Sequence, residues 1–221
     1  MRSMRAAFEP SFSRLSDGAG GSIKPATLVS ATTSVSVDNA SPAAVSIPSG
    51  AIDDLIVVGV FYSAGATYSA PTGWTDVTPS SDAVVAQFFI RRADGTEGAT
   101  ENFSFSPTGS SGYRTRALAF RIRNGHFIYQ NYGSAVTNPV FPALSSTVVP
   151  GSGLILGVIR AGNASNTFSV PDGPPPVVEG NRWSLFAWPM EAGAVSSVTA
   201  TRLTGSSNGY PYHFPVPTII R

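Results

Sequence analysis

From Ala26 onward the chain alternates apolar and polar residues in short runs broken by turns, the period-2 pattern that sends successive side chains to opposite sides of a strand. Ser34, Ser36 and Asp38 interleave with Val35 and Val37, and Ala44, Val45 and Ile47 then lead to the turn Pro48-Ser49-Gly50, which together predict a strand pair. Phe103 and Phe105 share one side of a segment whose other side is Asn102, Ser104 and Ser106, a half-buried strand. Leu55 to Tyr62 is apolar on both sides, so it is expected to be a central strand covered from above and below. Val84 to Arg92 and Ala117 to Ile122 supply two more strands, and Pro71-Thr72-Gly73 is a turn delivering Trp74.

The same plan recurs about 100 residues later. Ile56-Val57-Val58-Gly59-Val60 matches Leu154-Ile155-Leu156-Gly157-Val158, and Thr67 to Pro71 matches Thr167 to Pro171. Phe88 to Gly95 matches Leu185 to Gly193 with one insertion, and Thr108 to Tyr113 matches Thr204 to Tyr210. Phe120-Arg121-Ile122-Arg123 faces Thr218-Ile219-Ile220-Arg221. Each half then offers about five strands, too few to bury both faces alone, whereas two such sheets can pack face to face about 10 Å apart. The expected fold is all-β: a jelly-roll-like antiparallel β-sandwich, residues 26–221, made of two repeated halves at about 26–125 and 126–221. Two separate small sandwiches are the alternative.

Composition agrees with strands and turns, because 22 Gly and 18 Pro interrupt any long helical period. Charged residues are only 12% of the chain, so its surface is mostly hydroxyl and amide. A net charge of +1 gives no field of the kind that nucleic acid or an anionic membrane requires. Without cysteine there are no disulfides and no thiolate metal sites. The longest apolar run, Leu55 to Tyr62, is far short of the roughly 20 residues that cross a bilayer. Residues 1–25 show no period of two or 3.6, and Met1 to Arg14 lacks the apolar stretch of a secretory signal. Their cations Arg2, Arg5, Arg14 and Lys24 fit an extended N-terminal arm that orders on a partner's surface.

Candidate chemistry is sparse. His126 and His213 are the only imidazoles, and neither lies in a setting that suggests a catalytic base beside a nucleophile, so no pocket is expected at either. Asp53-Asp54 precedes a strand with its side chains on opposite faces and reads as a turn cap. Asp94-Gly95-Thr96-Glu97 resembles a hairpin loop with too few oxygens for calcium. No phosphate loop, dinucleotide fingerprint or metal spacing occurs, so no catalytic residue, metal or cofactor is expected. Arg91, Arg92, Arg114, Arg116, Arg121 and Arg123 read as edge protection and subunit pairing, not a polyanion site. Burial is expected for Trp74, Trp183 and Trp188, while Tyr113 and Tyr210, equivalent across the repeat, are the candidates for a glycan contact.

Asp53-Asp54-Leu55-Ile56-Val57-Val58, Pro71-Thr72-Gly73-Trp74-Thr75, the run from Phe89 through Ala93-Asp94-Gly95-Thr96-Glu97, and Ala117 to Ile122 stand in an order that resembles β-sandwich structural proteins of tailed bacteriophages. The resemblance covers approximately residues 30–221; the second half departs from it at Pro174-Pro175-Pro176, where the Gly-Trp-Thr turn is missing. It implies a virion protein of the tail, fibre or capsid-decorating type, partnered by other virion proteins and by copies of itself, with no catalytic residue carried over. The rival expectation is a carbohydrate-binding or adhesin module that recognises a host surface glycan.

Overall fold

The computed structural model describes residues 24–35, 43–48, 50–61, 67–69, 72–78, 86–95, 100–105, 107–108, 116–126, 131–133, 135–144, 153–162, 165–171, 173–190 and 195–218. Among them every regular element is a β-strand and every pairing is antiparallel. The first part holds β1 (Thr27–Val35), β2 (Ala43–Pro48), β3 (Leu55–Phe61), β4 (Thr67–Tyr68), β5 (Thr75–Asp76), β6 (Gln87–Arg92), β7 (Thr100–Phe105), β8 (Pro107–Thr108) and β9 (Arg116–Arg123). The second holds β10 (Asn131–Tyr132), β11 (Val140–Phe141), β12 (Gly153–Ala161), β13 (Thr167–Ser169), β14 (Val178–Gly180), β15 (Trp183–Met190), β16 (Val198–Thr199), β17 (Thr201–Thr204) and β18 (Gly209–Pro217).

Two five-stranded sheets dominate, in the orders β1-β9-β3-β6-β5 and β10-β18-β12-β15-β14. Short pairs accompany them: β2-β7 and β4-β8 in the first part, β11-β16 and β13-β17 in the second. Among the described residues the expected pairing of Ser34 and Val35 with Ala44–Ile47 is not found, since β1 pairs with β9 and β2 with β7; Ser36–Asp38 lie outside the described residues. Residues 36–42 contain no Asn-Gly or Asp-Gly turn of the kind that locks a tight hairpin, so distant partners win.

The alternation of each strand decides how the sheets stack. Val57, Phe61, Phe88, Leu118, Phe120 and Ile122 of the first sheet share one apolar interior with Leu156, Val158, Trp183, Leu185, Tyr212, Phe214 and Val216 of the second. The residues between them turn the other way. Ile56, Val58, Phe89, Ala117 and Ala119 form a separate cluster with Trp74, and Ile159 and Phe186 do so with Phe141 and Phe168. The central strands of both large sheets, β3 and β9 in the first and β12 and β18 in the second, are therefore covered on both sides along most of their length, which is why β3 reads as a continuous apolar run and is buried throughout.

The sequence matches are kept at some positions and lost at others. Thr67 lies opposite Thr108, and Thr167 lies opposite Thr204, as the matched segments require. Gly59 and Gly157 do not correspond. A Cβ on Gly59 would press on Phe88 and Trp183 in the shared interior, whereas one on Gly157 would press on Phe141 and Trp188 on the outer side. An error of one residue in register reverses every side chain, so equivalence by face needs a different offset there. The last match fails likewise: Phe120 lies opposite Val57 on β3, and the place opposite Leu156 on β12 belongs to Phe214, not to the residues around Thr218. Residues 219–221 lie outside the described residues.

The two parts also meet at one end. The His126 amide donates to Pro217 O at 2.9 Å, Gly125 forms a bridge with Thr218, and the Ala26 amide donates to Thr218 Oγ1 at 3.0 Å.

Candidate functional site

Polar groups inside an apolar stack need partners, and the places where they occur are the candidates for function. At the start of β3, Asp54 is 1% exposed. Its Oδ2 accepts the Ala51 amide at 2.9 Å, which is the turn cap expected of this residue. Arg123 donates to it through Nε and Nη2 at 3.1 and 3.2 Å, and the fully buried Arg121 places Nη1 3.8 Å away. The Asp54 carboxylate, by hydrogen bond and then by charge, holds the Arg123 guanidinium above its ordinary range. Gly50 covers this group so closely that a Cβ there would collide with Arg121 Nη1 and Asp54 Oδ2.

A second buried cation ends β12. Arg160 stacks 3.4 Å over the Phe61 ring and 4.9 Å over Tyr210, and Arg182 stands 5.8 Å from the same Phe61 ring. Burial pushes the Arg160 guanidinium down to about 10, against an upward pull from Tyr210 and Tyr212. It remains charged at neutral pH.

His213 on β18 faces the outer cluster between Phe141 and Trp188, with ring centroids at 5.6 and 5.8 Å. Its Nδ1 lies 2.7 Å from Pro142 O; a carbonyl only accepts, so Nδ1 carries the proton and Nε2 is a buried acceptor with no partner among the described residues. Burial lowers its pKa below the ordinary 6.5, and the bond to Pro142 offsets only part of that. A base whose folded pKa is depressed contributes stability that is full above the unfolded value and is lost as pH falls through it. Stability is therefore expected to decline below about pH 6.5. His213→Phe should remove that component, read as parallel urea midpoints of wild type and variant at neutral pH that separate below it; identical pH profiles would refute the assignment.

His126 behaves differently from expectation. It lines a shallow depression of about 180 Å³ together with Leu55, Thr75, Ile90, Arg91 and Arg92. Arg92 is oriented there by donating from Nη1 to Asp53 O at 2.9 Å and from Nη2 to Gly125 O at 2.8 Å. Arg91 lies 5.5 Å from the Trp74 ring. No group of three metal-ligating side chains occurs among the described residues. The depression brings together residues from β3, β5, β6 and the segment after β9. In the sequence His126 stood out only as one of two imidazoles, and Arg91 and Arg92 only as part of an arginine cluster that otherwise splits, Arg121 and Arg123 going to Asp54.

The remaining expected positions are placed as follows. Trp74 and Trp183 are buried as expected, while Trp188 is only partly so. Tyr210 is half-buried, packs against the shared interior and has the Arg160 guanidinium 4.9 Å from its ring. Lys24 is exposed beside the strand that enters the first sheet. Arg2, Arg5, Arg14 and Tyr113 lie outside the described residues. Compared with known protein families, with curated proteins and with solved structures, the chain has no match.

Proposed function

We propose that the chain is a non-enzymatic structural protein of a tailed-bacteriophage virion, a tail, fibre or capsid-decorating subunit. It docks through residues 1–25, with Arg2, Arg5, Arg14 and Lys24 as contacts, and displays a jelly-roll-like β-sandwich produced by duplication. The observation that carries the reading is the recurrence of topology: adding nine to each strand of β1-β9-β3-β6-β5 gives β10-β18-β12-β15-β14, and the short pairs follow the same rule. A duplicated stack with the central strands of both large sheets covered, and with its buried ions used internally, suits rigid display in many copies better than turnover of a substrate. The phage assignment itself rests on the resemblance of the turn-and-core segments Asp53 to Val58, Pro71 to Thr75 and Ala117 to Ile122.

Purified particles should contain the chain in multiple copies, visible by mass spectrometry and by cryo-microscopy. Deleting residues 1–25 should leave the β-sheet circular dichroism unchanged while abolishing incorporation. A chain absent from particles, or a truncated form incorporated equally well, would overturn the proposal.

A further inference from the structure

We propose that His213 is an acid-sensitive latch: when its ring takes a second proton, the outer pair β11-β16 comes away from the second large sheet and bares the face of Ile155, Phe186 and Trp188 beneath. This stands on the surroundings of one ring, whether or not the protein belongs to a virion, and it assigns the first step of acid sensitivity to one layer of the fold. His213 is 0% exposed on β18, and its Nδ1–H is committed to Pro142 O, in the residue that follows β11. A second proton goes on Nε2, which is buried and has no acceptor among the described residues. The flanking rings of Phe141 and Trp188, tilted by 40° and 44°, offer it no lone pair. Nor do the described residues of the surrounding strands supply a countercharge. β10, β11, β15 and β16 hold no acidic or basic residue, and Tyr132 of β10 lies opposite Tyr212 and not opposite His213. Arg160, the charged residue of β12, stacks over Phe61 in the shared interior. Arg202 of β17 donates to Ser207 O at 3.1 Å, and Glu179 of β14 accepts the Phe168 amide and the Ser184 hydroxyl at 3.0 Å each. An imidazolium here is a buried, unpaired charge, and it reaches water only if the covering layer moves.

How each strand is held decides which one yields. β18 is paired with β12 from Gly209 to Pro217, and β12 with β15 along its length from Gly153 to Arg160. β11 and β16 are joined to each other by a short ladder, by the mutual bonds of Leu144 and Val195 at 2.8 Å, and by the Ala200 amide to Pro139 O at 2.8 Å. A two-stranded pair of this kind is marginal in water once its apolar cover is lost. Val136 and Gly209 form a bridge to β18 at one end of the layer, a natural hinge, and beyond it the bond from His213 to Pro142 ties the layer down. The sign of the coupling is fixed. Burial holds the ring of the closed form below the 6.5 that it regains in water, so the opening constant is flat above about pH 6.5 and rises by up to about tenfold per pH unit below it, levelling off at the closed-form value.

Hydrogen exchange of the full-length protein, followed residue by residue in NMR and corrected for the intrinsic effect of pH, tests the latch. Protection of the Leu144, Val195 and Ala200 amides should fall several-fold as pH is lowered from about 7 to about 5.5, beginning near the ordinary histidine value and levelling off where the His213 ring protons titrate. Those amides should exchange many-fold faster than the ladder between β3 and β9, which opens only when the whole fold does. His213→Phe should flatten the response and remove one of the two histidine signals. Should that variant fail to fold, the wild-type measurements decide alone. Protection that is unchanged across the His213 titration, exchange of both ladders in a single global step, a His213 ring that titrates at or above its ordinary value, or a pH response retained in folded His213→Phe would each overturn the latch.

Discussion

Asp54→Ala is expected to lower the unfolding free energy by about 3–5 kcal/mol, the cost of removing one member of a buried ion pair. The argument is one of burial. Asp54 and Arg121 are 1% and 0% exposed, with Oδ2 and Nη1 3.8 Å apart. Removing the carboxylate leaves the Arg121 guanidinium under Gly50 without that countercharge, and frees the Ala51 amide from its acceptor. Arg123, with 44% of its side chain exposed, can turn to water and contributes little to the loss. Asp54→Asn keeps an acceptor for Ala51 and should still lose most of the stability, because the charge is what Arg121 needs. Guanidinium denaturation followed by tryptophan fluorescence measures both. A loss below about 1 kcal/mol, the range of a surface pair, would show that the network is not what the burial implies.

Phe88→Ala should cost a similar amount, about 3–5 kcal/mol, for a different reason. Phe88 stands on the first sheet and is fully buried, yet its ring meets Trp183, Tyr212 and Phe214 of the second at 6.2, 4.9 and 5.0 Å, all edge to face. Each such pair contributes roughly 0.5–1.5 kcal/mol beyond its buried area. The ring also fills the slot left by Gly59, where a Cβ would come within 2.8 Å of Phe88 Cε1. Truncation therefore opens a cavity between the two sheets. It should be seen both as a lowered denaturation midpoint and as a red shift in emission as Trp183 meets water. An unchanged spectrum with a loss under about 1.5 kcal/mol would mean that the sheets do not depend on this contact.

Several features of the fold were open to reading from the chain and several were not. The position of β3, its burial on both sides and the turn cap at Asp54 follow from residues adjacent in sequence. The partner of β1 did not, because the mate of a strand is chosen by distant residues when no tight turn joins it to its neighbour. Gly59 and Gly157 look equivalent in sequence and face opposite ways, because similarity of composition is blind to a shift of one residue. The candidate site was barely visible: Arg92 lies 39 residues from Asp53 and 33 from Gly125, its two carbonyl partners. Arg121 and Arg123 appeared as members of one surface cluster with Arg91 and Arg92. Only packing separated the pair that neutralises Asp54, 69 residues from Arg123, from the pair beside His126.

What the sequence alone determined is the class of structure: short alternating segments, frequent Gly and Pro and a doubly apolar run make strands and turns, since those preferences act between near neighbours in the chain. What the tertiary structure decided is which face of each strand looks inward, which strand each one joins, and which charges end up buried together or gathered at one end of the stack. Those outcomes depend on register and on contacts between segments far apart, and because strand side chains alternate with a period of two, a change of a single residue exchanges core for surface.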